Sequence, residues 1–347
     1  FFFKAMLEFN VIVNIRIKMQ NLKKKATILI TRKLPEKIEK KLENKYSVIL
    51  NKSDKKYSYK ELKKKIIGVD ILIPCVSDTI DASIIKAGSK LKLIANFGNG
   101  VDNLDLITAK ERNILVTNTP DVLTEDTADL VLTMILMICR QINTAQQKIM
   151  DRVWTGWGPS ETLGEKMEGK KVGIIGMGRI GIAVAKRLSV LGIDINYHNR
   201  TKLKSNNEKI LKAKYWDSLD KMIGEMDIVS IHCPYTPETF HLLSKNKIKL
   251  LKKNCIVINT SRGEIIDEEA LAEALLKKRI GGAGLDVFEH EPQITQKLFE
   301  AENVVLLPHI SSATKESRVA MGDRVFKNID YFLQGKKPPD LVKKKND

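Results

Sequence analysis

The chain has 347 residues, 43% of them hydrophobic, and a formal net charge of +17. That length can bury a sizeable core and points to two domains rather than one, while no apolar run approaches the roughly 20 residues that a membrane span needs. The lysines behind the charge are spread along the whole chain and aromatic content is only 6%, so the pattern points away from nucleic acid, although it favours small anionic ligands electrostatically.

Residues 1–18 are apolar but lack a basic front and a small-residue cleavage site, so they read as a non-native or upstream-translated extension, with Met19 as the expected start. From there β-rich runs recur at 26–31, 69–74, 91–96, 171–176, 193–198, 227–232, 255–260, 282–287 and 303–308, with helical stretches between most of them. That alternation predicts a parallel sheet with helices on both faces, and the runs are continuously apolar, as strands covered on both sides should be. Two such units are expected. The first covers about 25–119. The second opens with one long helix over 124–150, apolar nearly all round, which points to burial on more than one side and to a subunit interface. Residues 151–170 read as a connecting loop, a last helix is expected over 314–334, and the Lys-rich tail after 335 is expected to be mobile. Cys75, Cys139, Cys233 and Cys255 form no CxxC pair and each lies in or beside an apolar run. They read as buried thiols in a reducing cytoplasm, and no His/Cys cluster has metal-ligand spacing, so no metal is expected.

The run Gly176-Met177-Gly178-Arg179-Ile180-Gly181 follows a strand and opens a helix with Ile180, Val184, Leu188 and Leu191 on one face. In that context GxGxxG is a dinucleotide site: Gly176 permits the tight turn, Gly178 lets the backbone approach a pyrophosphate, and Gly181 lets helix and strand pack closely. The pyrophosphate would sit on the helix N-terminus. The second strand of such a unit usually ends on an acid that holds the adenosine ribose. Here Asn199 fills that slot, 23 residues after Gly176, followed by Arg200, Thr201 and Lys202. A guanidinium, a hydroxyl and an ammonium suit a 2′-phosphate, so the expected cofactor is NADP(H), with NAD(H) as the second choice.

Three later stretches, 259–271, 283–292 and 306–314, follow strands of the same unit and supply an Arg, two Glu and a His. Ligands bind outside the carboxyl ends of parallel strands. Arg262 could clamp a carboxylate there, and His309 could protonate an oxygen that receives charge. A Glu behind the His, Glu289 or Glu291, would raise its pKa and fix its tautomer.

Together with "NFGNGVDNLD" (96–105), "NTPDVLTEDTADL" (118–130) and "WTGWGP" (154–159), these motifs closely resemble the D-isomer-specific 2-hydroxyacid dehydrogenases, most of all the glyoxylate/hydroxypyruvate reductases, over about residues 24–341. The resemblance implies two Rossmann-like α/β domains with the active site in the cleft between them. Residues 19–119 and 312–347 would form the substrate domain, and 120–311 the dinucleotide-binding domain. It assigns catalysis to Arg262, His309 and the Glu just before Pro, Glu291. It assigns the grip on the substrate carboxylate to the backbone of Gly98-Asn99-Gly100, the nicotinamide-amide partner to Asp286, and further cofactor contacts to Cys233, Pro234, Thr239 and Thr260. Trp157 would reach into the neighbouring subunit's active site in a homodimer. The implied reaction is reduction of glyoxylate and hydroxypyruvate in the cytoplasm, with small 2-oxoacids or 2-hydroxyacids as substrates and neither nucleic acid nor membrane as partner. Alternatives are a dehydrogenase for a bulkier 2-oxoacid and a nucleotide-sensing, corepressor-like binding protein. Ser311 stands where the family often has Gly. His198, His232, His241 and His290 read as structural.

Overall fold

The computed structural model describes residues 26–342, so the expected extension at 1–18, Met19 and the last five residues of the tail lie outside the described residues. The described chain divides into two compact units. One runs to Val122 and resumes at Thr314, and the other is Leu123–Ala313.

The first unit carries a five-stranded sheet of β1 (Thr27–Ile30), β2 (Ser47–Ile49), β3 (Ile71–Ile73), β4 (Leu93–Ala95) and β5 (Leu115–Thr117), in the order β2-β1-β3-β4-β5. Every pairing is parallel. Ile28, Leu72 and Ile94 are fully buried, as strands covered on both faces require. The long helix Lys315–Leu333 belongs to this unit and starts on Thr314, whose hydroxyl accepts the Ser317 N–H at 3.0 Å. The segment after 335 departs from the expected mobile tail. Asp340 is buried, accepts hydrogen bonds from Arg324 and Asn328, and Val342 donates to the Val116 carbonyl.

The second unit carries a seven-stranded parallel sheet in the order β12-β11-β10-β9-β6-β7-β8. Its strands are β6 (Lys171–Ile175), β7 (Asp194–His198), β8 (Lys214–Tyr215), β9 (Ile228–Ile231), β10 (Ile256–Asn259), β11 (Gly282–Leu285) and β12 (Val304–Leu306). Side chains alternate across it. Val172, Ile174, Ile256 and Ile258 pack with Val131, Met134, Ile135 and Ile138 of the helix Thr124–Cys139, while Val229, Ile231 and Val257 pack on the other face with Met222 and Leu271. The order reverses between β6 and β9, which opens a crevice at their carboxyl ends.

All nine strands read from the sequence are present. Those not foreseen, β2, β5 and β8, are two or three residues long. The expected helix 124–150 is two helices, Thr124–Cys139 and Ile142–Met150, meeting at 66°. The Cys139 carbonyl bonds to the Glu165 N–H of the returning loop at 2.7 Å instead of continuing the helical ladder, and Gln141 takes a left-handed φ of 50°. Only the first of the two helices buries a face; the second has no buried residue.

Candidate active site

The glycines after β6 meet three different demands. Gly176 has a φ of +97°, and a Cβ there would lie 2.5 Å from the Cys233 nitrogen that follows β9. A Cβ on Gly181 would lie 2.5 Å from the Gly176 carbonyl, so the helix Arg179–Val190 can approach the strand only with glycine there. Gly178 is exposed, has open space where its Cβ would be, and starts that helix without a side-chain cap. The residues present therefore fit a dinucleotide pyrophosphate: an open backbone at an uncapped helix start, with Arg179 and Ile180 as its first residues. Thr260, just past β10, adds a buried hydroxyl with no hydrogen-bond partner among the described residues. Such a group calls for a ligand or water partner. Thr239 is placed differently. Its hydroxyl donates to the Pro234 carbonyl at 2.8 Å and accepts the Thr236 N–H at 2.7 Å, which closes the turn after Cys233.

At the end of β7, Asn199 Oδ1 accepts the Met177 N–H at 2.7 Å, so the residue in the acid slot ties the strand end to the glycine loop. Arg200 and Thr201 are exposed. Burial pushes the Cys233 thiol up to about 11, against a backbone hydrogen bond and the Arg200 charge. Lys202 departs from expectation, because its ammonium lies 3.5 Å from Glu208 rather than standing alone.

Arg262, Glu291 and His309 come from the ends of β10, β11 and β12. Asn259, nearly fully buried, shapes the first turn: its amide donates to the Arg262 carbonyl at 2.8 Å and accepts the Ser261 N–H at 3.0 Å. Gly263 is required next, since a Cβ would overlap the Phe288 carbonyl carbon at 1.9 Å. His309 Nδ1 is 3.0 Å from Glu291 Oε2. Glu289 instead meets His241 Nε2 at 2.8 Å, so the structure separates the two glutamates that the sequence left open. Burial alone would raise the Glu291 carboxyl. The His309 hydrogen bond and charge, the Phe288 N–H and the Arg262 charge outweigh it and hold the carboxyl below its ordinary value. With Nδ1 bonded to the carboxylate, Nε2 is the ring nitrogen left to carry a proton outward.

His309 itself is left-handed, with a φ of 55°, a conformation that costs a non-glycine residue on the order of 1–3 kcal/mol. Asp286 holds it there. This fully buried carboxylate accepts the Ile310 N–H at 2.7 Å and the Ser311 N–H at 2.8 Å. Burial raises the Asp286 carboxyl, against those two bonds and the His309 charge. The residue expected at the nicotinamide amide is thus enclosed and engaged by backbone. Ser311 is outside the left-handed region and buried, so serine is accommodated where glycine was anticipated. His232 is half-buried, and desolvation pushes it down to about 3, hence neutral, and His198 bonds to the Trp216 carbonyl at 2.9 Å.

In the first unit the Gly98-Asn99-Gly100 loop follows β4. Its three carbonyls accept, in turn, the Thr119 N–H at 3.0 Å, the Asn118 amide at 2.7 Å and the Asn96 amide at 2.8 Å. Among the described residues no hydrogen bond uses the three N–H groups of this loop. The arrangement presents donors and hides acceptors, which suits an anion. Asn96, Asn118 and Asn259 were not foreseen; an Asn at a strand end, able to donate and accept at once, was the available signal.

The sequence profile of the D-isomer specific 2-hydroxyacid dehydrogenase NAD binding domain matches residues 132–311. The chain is 43% identical over 324 residues to the glyoxylate reductase of Thermococcus litoralis, covering 92% of this chain and 97% of that one. It is 40% identical to the glyoxylate reductase of Pyrococcus horikoshii, covering 92% and 96%. The crystal structure of the NADPH-dependent glyoxylate/hydroxypyruvate reductase of Sinorhizobium meliloti with NADP and malonate superposes with a TM-score of 0.81 at 31% identity, covering 92% and 97%.

Proposed function

The chain belongs to the D-isomer specific 2-hydroxyacid dehydrogenase family and is an NAD(P)-dependent oxidoreductase; from that premise we propose that it reduces glyoxylate to glycolate and hydroxypyruvate to D-glycerate, with NADPH as the preferred cofactor. The observation that carries the reading is the His309–Glu291 pair at 3.0 Å with Arg262 acting on the same carboxylate. The reduced nicotinamide, when bound, supplies a hydride to the carbonyl carbon. His309 gives the proton to the carbonyl oxygen, and Glu291 holds the imidazole in the tautomer and orientation that make this transfer direct. Arg262 takes the substrate carboxylate, and the N–H groups of Gly98, Asn99 and Gly100 are donors suited to an anion.

NADPH preference rests on Asn199, which carries no charge to repel a 2′-phosphate, and on exposed Arg200 and Thr201 beside it. The names of the relatives support glyoxylate as substrate, and that of the Sinorhizobium meliloti reductase supports NADPH. A homodimer is supported by the exposed apolar side chains of Ile149, Met150, Val153, Trp154 and Leu163, and by Trp157, which is 85% exposed. Four unpaired thiols support a reducing compartment, the cytoplasm.

Initial rates with glyoxylate, hydroxypyruvate, pyruvate and phenylpyruvate, each with NADPH and NADH, test the reading. The expected result is the highest kcat/KM for glyoxylate or hydroxypyruvate with NADPH. A preference for phenylpyruvate would mark a dehydrogenase of bulkier 2-oxoacids, and no turnover at all would mark a nucleotide-sensing protein. Light scattering that finds a fully active monomer would remove Trp157 from any shared site.

A further inference from the structure

Glu268 is the first residue of the helix Glu268–Leu276, is only 5% exposed, and follows the turn that carries Arg262 while lying well before Glu291 and His309 in sequence. Each of its two carboxylate oxygens accepts a backbone N–H. Oε2 accepts the Glu289 N–H at 2.8 Å, and Oε1 accepts the Thr295 N–H at 2.9 Å. Those two N–H groups belong to residues two before and four after Glu291, so one buried carboxylate grips both sides of the loop that carries the His309 partner. The clasp is reciprocal, because the Glu268 N–H points back at Glu289 Oε2 at 3.4 Å, while Glu289 Oε1 meets His241 Nε2 at 2.8 Å.

A buried carboxylate is an expensive way to fill space, since an apolar side chain would pack there without desolvating a charge. What a carboxylate adds is two acceptor oxygens in one rigid group, able to take an N–H from each side of a loop. The position of that loop matters. Phe288 also donates its N–H to Glu291 Oε1 at 3.2 Å, and the Phe288 carbonyl occupies the space that a side chain on Gly263, next to Arg262, would need. A shift of the 288–295 backbone would therefore move Glu291 off His309 and loosen the turn behind Arg262 together.

We propose that Glu268 is a positioning residue for the reduction: it sets the distance from Glu291 to His309 by clamping the 289 and 295 backbone. This rests on the reading above that Glu291 acts through His309. A positioning role predicts a loss in turnover that is not additive with loss of Glu291, whereas a merely structural role predicts a loss of stability alone.

The test is a double-mutant cycle on the full chain with glyoxylate and NADPH, read as kcat, KM for NADPH and Tm. Glu268→Gln keeps the shape but offers an NH2 to one of the two N–H groups. Its kcat should fall roughly ten- to a hundredfold, the range for a small misplacement of reacting groups, with KM for NADPH unchanged. Glu291→Gln should also be slow, and Glu268→Gln/Glu291→Gln should be no slower than Glu291→Gln. Wild-type kcat in Glu268→Gln, even with a lowered Tm, overturns the proposal, and so do losses that multiply in the double variant. If Glu291→Gln itself turns over at the wild-type rate, the pairing with His309 has failed and the proposal falls with it, an outcome distinct from a slow Glu291→Gln beside a normal Glu268→Gln. Should Glu268→Gln not fold, Glu268→Asp keeps the charge at the helix start but is too short to reach both N–H groups, and the same three outcomes apply to it.

Discussion

At the ends of β10, β11 and β12, backbone N–H groups are tied to buried carboxylates, whereas at the end of β7 the chain offers exposed cations to solvent. Asp286 and Glu268 are 0% and 5% exposed and each accepts two backbone N–H groups, next to His309 and around Glu291. Arg200 and Thr201 are exposed, while the Asn199 amide and the His198 carbonyl fasten the strand end to the glycine loop. The first construction fixes angles and distances and is little affected by salt. The second depends on charges that water and ions screen. On the proposed reading, chemistry that needs reacting atoms held to a fraction of an ångström would sit on the first, and discrimination between two cofactors that differ by one phosphate would be left to the second. The ribose end should therefore be retunable by surface substitution, and the catalytic end should not.

Removing the proposed proton donor should break the comparison hardest. His309→Gln should lower kcat by about 10²- to 10⁴-fold, the usual contribution of a positioned acid. Cofactor affinity should stay near wild type, since the change touches no phosphate contact and Asp286 bonds to the backbone of residues 310 and 311 rather than to the imidazole. Stopped-flow or steady-state rates beside a fluorescence titration with NADPH would check both halves. Near-normal turnover would take His309 out of the mechanism.

Arg200→Ala comes next. A charge-assisted contact to phosphate is worth on the order of 1.5–3 kcal/mol, roughly ten- to a hundredfold in affinity. KM for NADPH should rise by that factor, with KM for NADH and kcat little changed. Adding Asn199→Asp should move the preference toward NADH without disturbing the glycine loop, because an Asp oxygen can still accept the Met177 N–H that Asn199 Oδ1 takes at 2.7 Å. Equal weakening of both cofactors by Arg200→Ala would mean that this corner does not read the phosphate.

A smaller effect separates the two ends by pH. Glu291 is held below its ordinary value of 4.5. A carboxyl depressed in the folded state adds stability that is fully present above its unfolded pKa and is lost as pH falls through the folded one. The Tm advantage of wild type over Glu291→Gln should therefore shrink as pH drops below 4.5. The same scan on Arg200→Ala should give a flat difference. A Glu291→Gln difference that stays unchanged from about pH 5 down to about pH 3 would contradict the assignment.

Much of this was readable in the sequence, and the exceptions share a cause. The continuous apolar runs of β6, β9 and β10 and the glycine spacing carry local signals, since a strand buried on both faces and a backbone against a helix start each constrain their own residues. The break at Gln141 was not legible, because it is made by Glu165, a residue on a returning loop. The tail after 335 was misjudged for the same reason, as Asp340 is held by Arg324 and Asn328 from another element. The choice between Glu289 and Glu291 rested on resemblance. The geometry separates them through His241 and His309, which lie far from both in sequence. Long-range partners are what composition and periodicity do not carry.

Lys202 gives the smallest and most discriminating effect. From sequence it stands with Arg200 as a second cation for the phosphate. In the structure its ammonium is 3.5 Å from Glu208, whose side chain is 15% exposed and is itself fixed by the Tyr197 hydroxyl at 2.5 Å. A cation paired at that distance presents a dipole rather than a charge to a more distant phosphate, and exposed pairs of this kind contribute about 0–1 kcal/mol. One kcal/mol is about a fivefold change in affinity, so Lys202→Ala should alter KM for NADPH by less than that, well below Arg200→Ala. Glu208→Gln should act in the opposite sense: it frees the ammonium and should lower KM for NADPH while leaving NADH alone, and the gain should vanish in the Lys202→Ala background. Salt supplies the control, because a benefit from a freed surface cation must fade as ionic strength rises. If Lys202→Ala proves as costly as Arg200→Ala, Glu208 does not hold Lys202 back when cofactor is bound, and the ribose corner uses two cations rather than one.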